Sequence, residues 1–219
     1  MSLDELVRRA QVWRADQAPL ARGLTTGFPA LDALLPTQGW PYPALIEVLT
    51  DCEGIGALSL WLPALAELSR AQWLIWVAPP HLPYVPALQR HGLDLARLLI
   101  VDARPAEAVS TQRSSAREGT EANLWAFEQA LRFVDCGASL TWCEVPDSRA
   151  LRRLQLACEA GVTLGVIFRP ARFAATASPA VLRLLLSPAA HATGLDIQIL
   201  KCRGSLRTQT CHLDLSAYS

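Results

Sequence analysis

Short apolar segments of strand length alternate with segments of helix length between residues 44 and 168, and this alternation restricts the possible folds more than any other feature. The predicted strands are Leu45–Leu49, Trp73–Ala78, Leu98–Asp102, Ala138–Cys143 and Val162–Phe168. The predicted helices are Ile55–Ser69 (with a kink at Pro63), Pro86–Arg90, Glu121–Val134 and Ser148–Ala160, and the polar stretch Arg104–Gly119 is expected to be a loop. Strands separated by helices indicate a mostly parallel sheet, flanked by helices and joined by right-handed crossovers.

The pattern changes in the last part of the chain. Three further segments alternate like strands, with no long helix between them: Val181–Leu186, Leu195–Cys202 and Thr208–Leu215. Strands that follow one another without a helix pair in antiparallel fashion. The sequence therefore predicts an α/β fold, with antiparallel strands at the C-terminal end of a mostly parallel sheet.

The length of 219 residues and the 51% hydrophobic content suit one α/β domain with its own core. We assign residues 23–219 to this domain, and residues 1–22 to an N-terminal helix and linker. No apolar run is long enough to cross a bilayer, and the first residues lack the apolar region of a signal peptide. The expected location is therefore the cytoplasm, with no membrane partner.

An amphipathic helix is predicted at the N-terminus. Ser2 and Glu5 have the spacing of a capping box, and apolar residues recur after them at helical intervals. These apolar residues are Leu3, Leu6, Val7, Ala10 and Trp13. A helix with one apolar face must bury it, either on the body of its own chain or on a partner. We treat this face as a candidate docking element, which leaves self-association possible.

The formal net charge of zero conceals an uneven distribution. Residues 1–148 contain 11 Lys/Arg and 17 Asp/Glu, whereas residues 149–207 contain 9 and 2. A basic final third is typical of a surface for nucleic acid or an acidic partner, and equally of a solvated face balanced by the rest of the chain. The candidate contacts to DNA or an acidic partner are Arg169, Arg172, Lys201, Arg203 and Arg207.

The cysteines and histidines do not have the spacing of a metal site. The six cysteines are Cys52, Cys136, Cys143, Cys158, Cys202 and Cys211, with no Cys-x-x-Cys pair among them. The four histidines are far apart in sequence and form no His-x-x-x-His pair. We therefore expect free, mostly buried thiols and no bound metal.

Three parts of the sequence carry a family resemblance. Residues 25–48, with Thr25-Thr26-Gly27 and the Gly39-Trp40-Pro41 turn before the first strand, resemble the entry to the RecA core. Residues 73–99, containing Trp-Val-Ala-Pro-Pro, are similar to the division inhibitor SulA and its larger ImuA relatives. The helix 151–157 and the Phe168-Arg169-Pro170 turn extend the similarity to the ImuA family, accessory proteins of translesion DNA synthesis.

This resemblance implies a RecA-like domain that acts in SOS-induced, error-prone translesion synthesis. Its expected partners are an ImuB-type inactive homologue of Y-family polymerases, an error-prone DnaE-type polymerase and RecA itself, with DNA as a further possibility. A SulA-like division inhibitor that binds FtsZ is the alternative. The complete entry segment and the N-terminal helix favour the ImuA family.

The turn after the first strand lacks the residues of a phosphate loop. Its residues are Thr50, Asp51, Cys52, Glu53, Gly54 and Gly56. A phosphate loop needs a lysine for the phosphates and a hydroxyl for magnesium, but here two carboxylates are present and the only lysine is Lys201. The metal-binding aspartate expected after Leu140–Trp142 is also missing, and prolines stand where RecA has its catalytic glutamate. We expect no bound cofactor and no enzymatic activity. The alternative is a weak ATPase with a non-standard loop.

Overall fold

The structure, a computed structural model, describes residues 23–102, 113–142, 147–189, 194–205 and 208–216. These residues form an eight-stranded sheet in the order β3-β2-β4-β5-β1-β6-β7-β8. The strands are β1 Ala44–Leu49, β2 Trp73–Val77, β3 Leu98–Val101, β4 Cys136–Thr141, β5 Leu164–Arg169, β6 Leu182–Pro188, β7 Gly194–Cys202 and β8 Gln209–Asp214. β1 to β6 are parallel, and β7 and β8 are antiparallel to their neighbours. The predicted α/β fold, a mostly parallel sheet with antiparallel strands at its C-terminal end, is confirmed. The strand β6 was predicted to be antiparallel, but it is parallel to β1. The predicted N-terminal helix lies outside the described residues.

Helices cover both faces of the central strands. They are α1 Pro29–Asp32, α2 Leu62–Ser69, α3 Val85–Arg90, α4 Arg113–Arg132 and α5 Ser148–Gly161. Apolar residues of α1, α2 and α3 pack on one face, and those of α4 and α5 pack on the other. Every residue of β1, β4 and β5 is buried, as expected for parallel strands covered on both sides.

The helix predicted from Ile55 begins later in the structure. Gly54 and Gly56 have φ values of 70° and 81°, so the chain is in left-handed conformations here and cannot continue as a helix. A 3-10 turn follows at Ser59–Trp61, and α2 starts at Leu62. Pro63 therefore lies in the first helical turn, where its missing N–H costs nothing. The kink predicted at Pro63 was wrong.

The loop predicted at Arg104–Gly119 is in part helical. Helix α4 begins at Arg113, eight residues before its predicted start, and residues 103–112 lie outside the described part of the chain. The extra turns lack the apolar periodicity that made the rest of the helix recognisable. A parallel strand covered on both faces is expected to bury its side chains, including the two tryptophans of β2. Trp76 is fully buried, but Trp73 at the start of the strand is 36% exposed.

Candidate functional site

The turn after β1 is bound to the neighbouring loop. The backbone N–H of Thr50 donates to the carbonyl of Arg169, at 3.0 Å. The carboxylate of Asp51 accepts a hydrogen bond from the N–H of Ala171, at 2.8 Å. Within the turn, the Thr50 hydroxyl accepts the N–H of Cys52 at 3.1 Å. The Asp51 carboxylate thus joins this turn to the segment that follows β5, and it places negative charge where a phosphate loop offers N–H groups.

The N-terminus of α2 points into the core. In a phosphate loop the helix after the first strand presents its free N–H groups to the phosphates. Here Leu62, Ala64 and Leu65 are at most 5% exposed, and Pro63 has no N–H to donate. The indole of Trp61, just before the helix, stacks on that of Trp40 with 4.2 Å between ring centroids. This helix start is buried and contributes to packing, and at Pro63 it lacks one of the N–H groups that a phosphate loop would use.

Aromatic side chains occupy the carboxyl ends of β4 and β5. Trp142 follows β4 directly, and its ring stacks on Phe168 of β5 at 4.8 Å with only 3° between the planes. Trp76 meets Trp142 edge-on at 6.0 Å. This is the end of the sheet at which a RecA-type ATPase would place its metal-binding aspartate. These three aromatic rings offer an apolar contact surface and no oxygen ligand for magnesium.

A buried ion cluster lies next to this edge, and the sequence reasoning missed it. Glu47 in β1 is fully buried, and its two carboxylate oxygens bind two arginines. Arg169, the last residue of β5, donates to Oε1. Arg183 of β6 donates from Nε to Oε2 at 2.6 Å. β1 lies between β5 and β6, so the register of three strands brings these charges together.

The two arginines also hold the segment that connects β5 to β6. Arg183 donates to the carbonyl oxygens of Phe173 (2.8 Å), Thr176 (2.9 Å) and Ala174 (3.3 Å). The Arg169 guanidinium lies 4.0 Å from the centroid of the Phe173 ring. The connecting segment contains the 3-10 turn Ala171–Ala175. The guanidinium groups of Arg169 and Arg183 therefore hold it on the sheet.

The candidate basic residues do not all reach the surface. Arg172, Lys201 and Arg203 are exposed, but Arg169 is 4% exposed and bound to Glu47. The expectation that Arg169 belongs to a surface strip is therefore wrong, because its charge is used inside the fold. Arg207 lies outside the described residues.

Lys201 occupies an electropositive position. Its ammonium group donates to the carbonyl of Ser178 at 2.7 Å, which adds a second fixed point to the β5–β6 segment. Partial burial lowers the pKa of Lys201, and the nearby positive charges of Arg203 and Arg183 lower it further. Arg172 extends the same positive region along the segment, with its guanidinium 5.1 Å from the Phe173 ring. These exposed cations could bind an anionic group.

The sheet has an apolar edge on the opposite side. Among the described residues, β3 pairs only with β2, so one side of its backbone has no strand partner. Leu99 and Ile100 of β3 are 47% and 37% exposed. Edge strands with exposed apolar side chains accept a further strand or another chain.

The predicted docking residues Leu3, Leu6, Val7, Ala10 and Trp13 lie outside the described part of the chain, so the structure does not place them.

The described cysteines are free. Cys136, Cys158 and Cys202 are buried, which confirms the prediction for these three, whereas Cys52 is exposed. Burial raises the pKa of Cys136 to about 12. Among the described residues, no three His, Cys, Asp or Glu side chains are close enough to hold a metal, and no helix is long and apolar enough to span a bilayer.

Comparison with solved structures identifies the class of protein. The RadB recombinase superposes with a TM-score of 0.66, at 13% sequence identity, covering 89% of this chain and 97% of that one. SulA from Pseudomonas aeruginosa aligns with 57% of this chain and 97% of its own at 26% identity, with a TM-score of 0.43. The superposition on RadB shows that this chain has a RecA-like α/β fold.

Comparison with curated proteins identifies a relative. Protein ImuA of Caulobacter vibrioides, in both the NA1000 and the CB 15 strains, is 30% identical over 151 residues. The match covers 66% of this chain and 56% of the relative, so the chain spans only about half the length of that protein. No family model matches the chain. The sequence is thus similar to ImuA over part of both proteins, which confirms the resemblance stated from the sequence.

Proposed function

We propose that this protein is a non-catalytic adapter in SOS-induced, error-prone translesion DNA synthesis. It links an ImuB-type inactive homologue of Y-family polymerases to an error-prone DnaE-type polymerase and to RecA, in the cytoplasm. The similarity to ImuA over 151 residues carries the proposal. The RecA-like fold is compatible with this role, because one fold can serve functions other than nucleotide hydrolysis.

Three features of the carboxyl edge support the absence of catalysis in this proposal. Asp51 is bonded to Ala171, the N-terminus of α2 is buried, and Trp142 stacks on Phe168 where a metal ligand is needed. A nucleoside triphosphate would face an acidic turn that contains no lysine to neutralise its phosphates. The domain is therefore used for its shape and its surfaces.

A pull-down with purified proteins tests the adapter role. Immobilised protein is offered an ImuB-type homologue and, separately, FtsZ, at equal concentrations. We expect retention of the ImuB-type protein and no retention of FtsZ, and no filamentation of cells that express the protein. Retention of FtsZ alone, together with filamentation, would instead establish a division inhibitor of the SulA kind.

A calorimetric titration tests the nucleotide prediction. We expect no heat of binding when magnesium-ATP is added to millimolar concentration, because the turn offers Asp51 and Glu53 to the phosphates and no lysine. A RecA-type ATPase in the same buffer serves as the positive control. A dissociation constant in the low micromolar range would overturn this prediction and favour the weak-ATPase alternative.

The exposed cations make a second testable surface. If Arg172, Lys201 and Arg203 bind DNA phosphates, replacing all three by Ala lowers the affinity for a single strand and reduces the slope of log K against log salt by roughly 0.7 per lost contact. Arg169 stays unchanged, since its removal would take one of two arginine partners from the buried carboxylate of Glu47. Fluorescence anisotropy of a labelled oligonucleotide gives both quantities, and Arg70→Ala is the surface control. No binding by the wild type at about 50 mM salt would exclude this surface as a DNA site.

A further inference from the structure

The outer face of helices α4 and α5 exposes a tryptophan among arginines. Trp125, in the second half of α4, is 65% exposed, and Leu156 of α5 is 52% exposed. The face of a helix directed to solvent normally carries polar residues, so a large aromatic side chain in this position is unusual. Tryptophan and arginine are also the residues most often found at the energetic centres of protein interfaces.

The arginines around Trp125 are partly held in place. Glu128, one helical turn after Trp125, has a side chain only 11% exposed, and it binds arginines from both helices. Arg132 donates to its Oε1 at 3.1 Å, and Arg153 of α5 donates to its Oε2 at 2.6 Å. A guanidinium that is already oriented loses less conformational entropy when it binds a carboxylate.

Further side chains of α5 extend this surface. Arg149 lies one turn before Arg153, Leu156 lies one turn after it, and Arg152 is one turn before Leu156. All of them are exposed. The resulting Trp125 surface, as we name it, consists of Trp125, Arg132, Arg149, Arg152, Arg153 and Leu156. This surface lies on helices α4 and α5, and it is separate from the exposed edge strand β3 described above.

We propose that the Trp125 surface is a docking site for an acidic segment of a partner protein that carries a large apolar side chain. The four arginines attract the carboxylates of the segment, and Trp125 and Leu156 provide an apolar contact for its large apolar side chain. A protein segment fits this surface better than a nucleic acid. The single-strand sites of nucleic-acid-binding proteins are continuous basic grooves, whereas here Glu128 neutralises part of the charge and Leu156 interrupts it. The proposal does not depend on the assignment to translesion synthesis.

Binding of synthetic peptides to the full chain tests this proposal. The probe is a fluorescein-labelled peptide of glutamates around one leucine and one phenylalanine, and its control has lysines in place of the glutamates. We expect the acidic peptide alone to bind, measured by anisotropy at low salt. Trp125→Ala should weaken binding roughly 30-fold, and the double change Arg149→Ala with Arg152→Ala roughly tenfold. Arg70→Ala is the matched control. Arg70 is also an exposed arginine paired with a glutamate, Glu67, but this pair lies at the end of α2 and not on α4 or α5.

Charge reversal makes the test specific. Arg149→Glu together with Arg152→Glu should abolish binding of the acidic peptide and allow the lysine peptide to bind. Unchanged binding in Trp125→Ala, or equal binding of both peptides to the wild type, would overturn the proposal. So would tight binding of an oligothymidylate that is lost in the same variants, which would make the surface a nucleic-acid site. Trp125→Gln is the second variant if Trp125→Ala does not fold.

Discussion

Replacing Glu47 by Gln should destabilise the protein by about 3–5 kcal/mol, the usual cost of removing one partner from a buried ion pair. Glu47 is fully buried, and its charge compensates the guanidinium groups of Arg169 and Arg183, which are at most 5% exposed. Without the carboxylate, both buried guanidinium groups lose the negative charge that they share. We expect the variant to be mostly unfolded at 25 °C or to unfold at a much lower urea concentration than the wild type.

Urea unfolding followed by circular dichroism measures this effect, and Glu67→Gln is the matched control. Glu67 also binds an arginine at 2.6 Å, but both side chains of that pair are more than half exposed. A pair in water contributes less than about 1 kcal/mol, so its loss should change the unfolding midpoint little. If Glu47→Gln unfolds at the wild-type midpoint, the buried cluster does not stabilise the fold.

A milder change separates the two roles of the cluster. Arg183→Lys keeps a positive charge beside Glu47, but it loses the planar group that reaches the carbonyls of Phe173, Ala174 and Thr176. The segment between β5 and β6 should then open more often. Trypsin cleavage after Arg172, followed by mass spectrometry, would detect this opening at a stability close to that of the wild type.

The alternation of apolar segments was sufficient to predict the positions of all eight strands and the antiparallel pairing of the last two. It did not predict that β6, which follows β5 without a long helix, is parallel to β1. Sequence periodicity reports which faces of an element are buried, and burial was what distinguished these strands. The start of α2 could not be predicted in the same way. The residues from Ile55 onwards have helical periodicity, but the positive φ values at Gly54 and Gly56 delay the helix, and apolar periodicity gives no information on backbone dihedrals.

The buried ion cluster shows a second limit of sequence reasoning. Glu47 stands in an otherwise apolar strand, Arg169 ends another and Arg183 lies inside a third. Charged residues within buried strands almost always have a partner, so this pattern was a usable signal. The identity of the partners depends on strand order and register, which the sequence does not contain. For this reason Arg169 was assigned to a surface that it does not reach.

Deleting residues 1–22 should leave the body folded while weakening the capture of a partner roughly 30-fold. The apolar residues of the described core lie between Phe28 and Leu215, in the part of the chain that the deletion retains. The predicted helix carries its apolar face on Leu3, Leu6, Val7, Ala10 and Trp13. Anchors of this kind commonly contribute about 2 kcal/mol each to an interface. The melting temperature should therefore stay close to that of the full chain.

Two variants of the full chain distinguish a docking helix from an unspecific effect of truncation. Trp13→Ala removes the largest apolar side chain of the segment, and Ala10→Pro prevents a helix through it. Both should lower the capture of the ImuB-type protein or the self-association measured by analytical ultracentrifugation, whereas Arg14→Ala should leave both unchanged. If the truncated protein is instead insoluble, or melts many degrees lower while the intact protein is monomeric, the N-terminal segment packs on its own domain and the docking role is wrong.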